Sequence, residues 1–193
     1  MKGYFIQYKF ITPNTTKHSS YSYQKLFRAL YGYTQNVTKS NGKTYIYHRE
    51  GVLSTYPFIR PGKNCVIIPE KALQALLTFF KTGKNPSHYW VEKGDWKAVY
   101  YLGERELKED ELVNAINALI DRTYIYTPSK RFERLVDELE SLTFKNVKAD
   151  KNYKTALVNK AQLICSSDWC RAISNKSSKL KQLNNILTQL RTS

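Results

Sequence analysis

The chain has few cysteines and no long apolar run, and each absence removes a class of protein. The three cysteines, Cys65, Cys165 and Cys170, are odd in number, so we do not expect a disulfide-rich extracellular scaffold. No run of about 18 apolar residues occurs, so no membrane-spanning helix is predicted. The N-terminus, MKGYFIQYKFI, mixes polar and apolar residues and does not resemble a signal peptide. These features predict a cytoplasmic protein that does not contact a membrane.

Motifs for common chemistry are also missing. The sequence has no phosphate-cradling GxxxxGK[ST] loop, no GxSxG nucleophile turn and no HExxH zinc motif. Cys165 and Cys170 are five residues apart, whereas structural zinc sites use closer pairs of cysteines, in twos. We therefore predict no metal site and no cofactor.

Acidic residues are scarce and unevenly placed. The chain has 31 Lys and Arg against 16 Asp and Glu, a net charge of +15. Residues 1–64 carry ten basic residues and one acid, residues 104–140 carry six and ten, and residues 141–193 carry ten and two. Two basic blocks therefore flank an acidic segment, a distribution that indicates a polyanionic partner such as nucleic acid.

The N-terminal half is predicted to be an α+β domain of residues 1–103. Alternating aromatic and apolar segments predict strands, and apolar residues at helical spacing predict two helices. Residues 33–42, YTQNVTKSNG, are predicted as a polar turn. The resulting order, strand-helix-strand-strand-helix-strand, is that of the ferredoxin-like βαββαβ motif. The predicted elements are a strand over Gly3–Ile11, a helix over Ser20–Tyr31, strands over Lys43–Glu50 and Asn64–Ile68, a helix over 69–83, and a hairpin of two strands over His88–Glu92 and Trp96–Leu102.

Residues 104–193 are predicted to form a helical region, first acidic and then basic. Leu112, Ile116 and Leu119 lie on one helical face, and Glu109–Glu111 would favour that helix's N-terminus. Thr127-Pro128 is a helix-start signal, and further helices are predicted from Asp150 and from Ser177 or Ser178.

The strand over Lys43–Glu50 supplies the main candidate binding residues. Because side chains alternate along a strand, Tyr45, Tyr47 and Arg49 share one face, and Ile46 is expected to face the core. Tyr and Lys or Arg on an open sheet are the surface on which RNA-recognition domains stack unpaired bases. On the first strand the pattern leaves the facing open, and its candidates are Tyr4, Tyr8 and Lys9. The segment KGYFIQYKF begins like the ribonucleoprotein consensus of RNA-recognition domains, Lys/Arg-Gly-Phe/Tyr-Gly/Ala. It has Phe5 where the consensus has its second small residue, so membership of the RNA-recognition family is not inferred.

Other basic residues extend this candidate interface. Lys43 precedes the strand, and the loop around Gly62 carries Arg60 and Lys63, which could meet phosphate. A lysine series with a spacing of three follows in the C-terminal half, at Lys145, Lys148, Lys151 and Lys154.

The preferred hypothesis is a nucleic-acid-binding protein without catalysis, with single-stranded RNA or DNA favoured over duplex because of the aromatic residues. One alternative is an interaction protein that docks on a nucleoprotein, such as a virus-encoded inhibitor of a host defence complex. The acidic segment would favour it, since a binder of bare nucleic acid does not need one. The other alternative is a metal-independent endoribonuclease, similar to ferredoxin-like CRISPR-processing enzymes, with His18 or His48 as general acid or base.

Overall fold

The computed structural model describes residues 1–86, 95–144 and 150–192 of the chain. The chain divides into two compact units, unit 1 over Met1–Leu107 and unit 2 over Lys108–Ser193. The domain boundary predicted between residues 103 and 104 falls inside a strand, since that strand continues to Glu106.

Unit 1 contains strands and two helices. Its elements in chain order are β1 (Lys2–Ile11), α1 (Tyr21–Tyr31), β2 (Tyr33–Thr38), β3 (Thr44–Arg49), β4 (Cys65–Ile68), α2 (Glu70–Thr82) and β5 (Lys97–Glu106).

A three-stranded antiparallel sheet forms the centre of unit 1, with the order β4-β1-β5. The central strand β1 alternates between a buried and an exposed face. Ile6, Tyr8 and Phe10 are buried, whereas Gln7 and Lys9 between them are exposed. The aromatic and apolar residues of β1 therefore define the face on which a core can form.

Both helices of unit 1 belong to the core that covers this buried face. Apolar side chains at helical spacing give each helix one buried stripe. Ser20 begins α1 by accepting a hydrogen bond from the Tyr23 amide, and Gly83 ends α2 in the left-handed region at φ 72°. The buried cluster consists of Ile6, Tyr8, Phe10, Leu26, Ala29, Leu30, Val52, Leu53, Val66, Ile68, Ala72, Leu76, Phe79, Phe80 and Trp96.

Unit 2 is mainly helical, with one short hairpin between its first two helices. Its elements are α3 (Glu109–Arg122), β6 (Tyr124–Tyr126), β7 (Phe132–Arg134), α4 (Leu135–Phe144), α5 (Lys151–Cys165), α6 (Asp168–Ala172) and α7 (Ser178–Thr192). Each helix except the short α6 buries a stripe of Leu, Ile or Ala, and α6 buries Trp169 and Cys170.

The described residues form a mixed α+β structure with seven helices and small antiparallel sheets. The predicted position of Lys43–Glu50 in the main sheet differs from the structure, since β3 pairs with β2 in a separate hairpin. Tyr33–Thr38, predicted as part of a turn, is a strand. None of its residues is buried, so its sequence lacks the apolar periodicity by which a strand is predicted. The strand predicted over His88–Glu92 lies outside the described residues. None of the described helices has the length and apolar character needed to cross a membrane.

Candidate nucleic-acid interface

The β2-β3 hairpin presents two faces of different chemistry. Directly paired residues share a face, so one face carries Tyr33 with Arg49, Gln35 with Tyr47, and Val37 with Tyr45; we call it the aromatic face. The opposite, polar face carries Thr34 with His48, Asn36 with Ile46, and Thr38 with Thr44. Tyr45 and Tyr47 are 38% and 44% exposed, so their rings are open to a ligand.

The base of the hairpin is fixed to the end of α1. The Val52 and Leu53 amides donate to the Ala29 and Leu30 carbonyls, each at 2.9 Å, so the chain that leaves the hairpin satisfies helix carbonyls that otherwise lack partners. Ser54 Oγ accepts from the Gly51 amide at 2.7 Å and donates to the Tyr31 carbonyl at 3.3 Å. A hairpin of two strands is marginally stable alone, so this attachment is expected to hold its direction.

The tip of the hairpin is a short polar turn with a lysine at each side. The Lys39 amide donates to the Lys43 carbonyl at 3.0 Å, and the Gly42 amide donates to the Lys39 carbonyl at 2.9 Å. Gly42 has φ 73°, a conformation that glycine adopts without strain. The Lys43 amide donates to Asn41 Oδ1 at 3.0 Å, which completes the turn.

Cations lie on the tyrosine rings along the hairpin and α1. Lys39 Nζ lies 4.7 Å from the ring centroid of Tyr45. The Arg28 guanidinium lies 4.8 Å from the Tyr33 centroid and 5.6 Å from that of Tyr21. These distances are within the range of cation–π attraction. We call the following set the aromatic stripe: Tyr21, Arg28, Tyr33, Lys39, Tyr45, Tyr47 and Arg49.

All charged residues of the hairpin are basic. Residues 33–49 include Lys39, Lys43 and Arg49 and no acid. Sequence reasoning identified Lys43, Tyr45, Tyr47 and Arg49 but missed Tyr21, Arg28, Tyr33 and Lys39. The alternation signal did not extend to β2, because residues 33–42 have the polar composition of a turn. Ile46, expected in the core, is instead exposed on the polar face.

Arg60 belongs to a second cluster, with Tyr31 at the end of α1 and Tyr8 of β1. Its guanidinium lies 4.4 Å from the Tyr31 centroid, and the Tyr31 hydroxyl is hydrogen-bonded to the Tyr8 hydroxyl at 2.9 Å. Burial raises the pKa of both phenols above their ordinary value of 10.0, so both are neutral donors and acceptors at neutral pH. Tyr8, a candidate for the open face, is therefore a core residue. Lys63 is exposed in the loop before β4.

The two candidate histidines lie at opposite ends of α1. The His18 ring stacks on Tyr23, in the first turn, with centroids 4.5 Å apart. His48 Nδ1 is hydrogen-bonded to Thr34 Oγ1 at 2.9 Å, just beyond the C-terminal end of the helix. An 11-residue helix is about 16 Å long, so the two rings do not form an acid–base pair.

The lysine series of the C-terminal half is only partly described. Lys151 and Lys154 lie in the first turn of α5, with Lys151 exposed and Lys154 half-buried. Lys145 and Lys148 lie outside the described residues. These lysines belong to unit 2, whereas the aromatic stripe belongs to unit 1.

Metal and thiol chemistry find little support among the described side chains. No group of three or more His, Cys, Asp or Glu able to hold a metal occurs in residues 1–86, 95–144 and 150–192. Burial raises the pKa of the Cys165 thiol to about 11 and also raises that of Cys170. Neither thiol is therefore ionised at neutral pH, and an ionised thiolate is the form that attacks or binds metals.

Comparisons with protein-family models, with curated proteins and with solved structures find no match to this chain.

Proposed function

We propose that the protein binds nucleic acid without catalysis, and that the aromatic stripe is its binding surface. The observation that carries the proposal is the arrangement of the hairpin. Exposed rings of Tyr45 and Tyr47 lie on one face with Arg49, while the paired residues of the opposite face are mostly Thr, Asn and His.

The chemistry of the stripe suits unpaired bases. Aromatic rings and arginine guanidinium planes stack on any base, and each stacked base contributes about 1–3 kcal/mol. Arg28 lies within cation–π distance of the Tyr21 and Tyr33 rings and adds positive charge to the stripe. Duplex DNA keeps its base faces inside the stack, so these rings favour a single strand.

Lysine and arginine supply the electrostatic part of the affinity. If Lys39, Lys43 and Arg49 each neutralise one phosphate, the logarithm of the binding constant should fall with the logarithm of salt concentration with a slope of about −2, since each contact on a single strand contributes about −0.7. The slope therefore counts the phosphate contacts independently of stacking.

Unit 1 also supports a proposal about its fold. Ile59 pairs with Ile67 of β4, on the edge opposite to the one that pairs with Phe5 of β1. If this bridge is counted as a strand and the β2-β3 hairpin as an insertion, the order is βαββαβ, the ferredoxin-like order. The hairpin would then be an arm added to a ferredoxin-like domain.

The docking alternative depends on an acidic surface that is partly neutralised within unit 2. Lys176 forms an ion pair with Glu109 at 3.3 Å, and Lys179 forms one with Asp121 at 2.5 Å. These acids of α3 therefore have partners in their own unit. For the endoribonuclease alternative, the separation of His18 and His48 leaves each histidine to act alone.

Fluorescence anisotropy with labelled single-stranded RNA, single-stranded DNA and duplex DNA tests the proposal. Each probe is titrated at several salt concentrations, and the products are run on a gel. We expect tighter binding of the single strands, a salt slope of about −2, and intact products. Absence of binding at low salt would overturn the proposal and favour a protein partner, and cleavage would favour the endoribonuclease.

A further inference from the structure

A second exposed surface lies on the three-stranded sheet, on the face opposite the helices. Gln7 pairs with Tyr101, Lys9 with Val99, and Ile11 with Lys97. Paired residues share a face, and the buried Ile6, Tyr8 and Phe10 occupy the other one. All six side chains are exposed. We call this set the sheet face: Gln7, Lys9, Ile11, Lys97, Val99 and Tyr101.

Tyr101 is the aromatic residue of the sheet face, and it is 65% exposed. Its ring lies along the strand over Gly103, because the ring atom Cε1 is 3.2 Å and the hydroxyl 3.4 Å from where a Gly103 Cβ would be. A side chain at position 103 would occupy that space. The glycine therefore allows the ring to lie against the sheet, with its outer side open to solvent.

The charged residues of the sheet face are both lysines. Lys9 is the diagonal neighbour of Tyr101, within reach of a long side chain, and Lys97 lies further along the same face. Neither lysine has an ion pair with a described residue. The acids Glu104 and Glu106 lie on the opposite face, since they pair with Tyr4 and Lys2, and Glu104 forms an ion pair with Lys2 at 2.9 Å. The six residues of the sheet face therefore include two lysines and no acid.

We propose that the sheet face is a second binding surface for single-stranded nucleic acid, on which Tyr101 stacks with a base while Lys9 and Lys97 contact phosphates. The class of ligand rests on the proposed function. The surface itself is separate from the hairpin, and its residues come from different strands. An aromatic ring beside cations is the combination that binds single strands without sequence preference.

Affinity measurements on three variants test this surface. Tyr101→Ala should weaken binding of labelled oligo(U) or oligo(dT) by about tenfold, which corresponds to the loss of one stacked base. Tyr101→Phe keeps the ring and should retain wild-type affinity, which separates stacking from a general loss of structure. Tyr126→Ala, at a tyrosine of unit 2 with 59% exposure, is the matched control and should leave affinity unchanged.

A second readout locates the contact directly. Oligonucleotides with photoreactive 5-bromouracil are cross-linked to the wild-type protein, and the modified peptides are identified by mass spectrometry. Cross-links in the peptide with Tyr101, as well as in the hairpin, would support the proposal. If Tyr101→Ala binds like Tyr126→Ala and cross-links fall only in the hairpin, this inference is wrong and the hairpin proposal stands. If the wild-type protein binds no oligonucleotide, both proposals fail.

Discussion

The backbones of Gly32 and Gly51 are in direct contact at the base of the hairpin. A Cβ on Gly51 would lie 2.1 Å from the Gly32 nitrogen, and one on Gly32 would lie 2.8 Å from the Arg49 carbonyl oxygen. Gly32 also has φ 74°, which few other residues adopt without strain. The chain therefore enters and leaves the hairpin at one point, and two glycines make that close approach possible.

Excision of the hairpin should leave unit 1 folded. No residue from 33 to 49 is buried, and Gly32 and Gly51 are close enough to be joined by a single short linker. The variant that lacks residues 33–50 should keep cooperative unfolding and the circular dichroism of the helices, but should lose most affinity for single-stranded oligonucleotides. A folded variant with unchanged affinity would show that the hairpin is not the binding element.

Replacement of Gly51 should damage the attachment of the hairpin. Gly51→Ala introduces a methyl group against the backbone of Gly32 and Leu30, and such overpacking typically costs about 1–3 kcal/mol. Urea unfolding measures this cost. The control is Gly62→Ala, since no atom lies within 4 Å of a Cβ at that position. Equal stability of the two variants would contradict the close contact.

The hydrogen-bonded pair Tyr8 and Tyr31 predicts a loss of stability at high pH. Burial raises the pKa of both phenols above 10.0, so their contribution is fully present below about pH 10 and is lost as the pH rises further, by at most about 1.4 kcal/mol per pH unit for each group. Tyr8→Phe should lower the free energy of unfolding by about 1 kcal/mol at neutral pH, because the hydrogen bond to Tyr31 is lost. Above about pH 10 its stability should decline less steeply than that of the wild type.

The matched control for this experiment is Tyr126→Phe, at an exposed ring. It should change neither the stability at neutral pH nor its dependence on pH. An identical alkaline decline in Tyr8→Phe and in the wild type would contradict the assignment of the effect to Tyr8.

Local sequence signals predicted the elements whose apolar residues form the core of unit 1. The helix expected over Ser20–Tyr31 is observed over Tyr21–Tyr31, because apolar spacing, a serine cap and a following glycine are all encoded nearby in the chain. Tyr45, Tyr47 and Arg49 share a face, as strand alternation requires. These features do not depend on which distant segment packs against them.

Features without a buried face could not be predicted in the same way. The segment YTQNVT of β2 has few apolar residues, and the hairpin is stabilised by its partner strand and its attachment to α1. The Thr127-Pro128 pair, predicted to begin a helix, lies in the turn between β6 and β7, where the Thr127 amide donates to the Arg131 carbonyl at 2.8 Å. The sheet face around Tyr101 was missed because KAVYYLGERE carries aromatic and apolar residues on both faces, which hides the alternation.

Binding of a labelled single-stranded oligonucleotide by the double variant Tyr45→Ala/Tyr47→Ala tests the central claim most directly. The control is Ile46→Ala, which changes the residue between the two tyrosines and lies on the polar face. If the aromatic face stacks on bases, the double variant should lose at least about tenfold in affinity at constant salt slope, since each stacked base contributes about 1–3 kcal/mol, while Ile46→Ala should bind like the wild type. Equal affinity of the double variant and of Ile46→Ala would contradict the proposed interface.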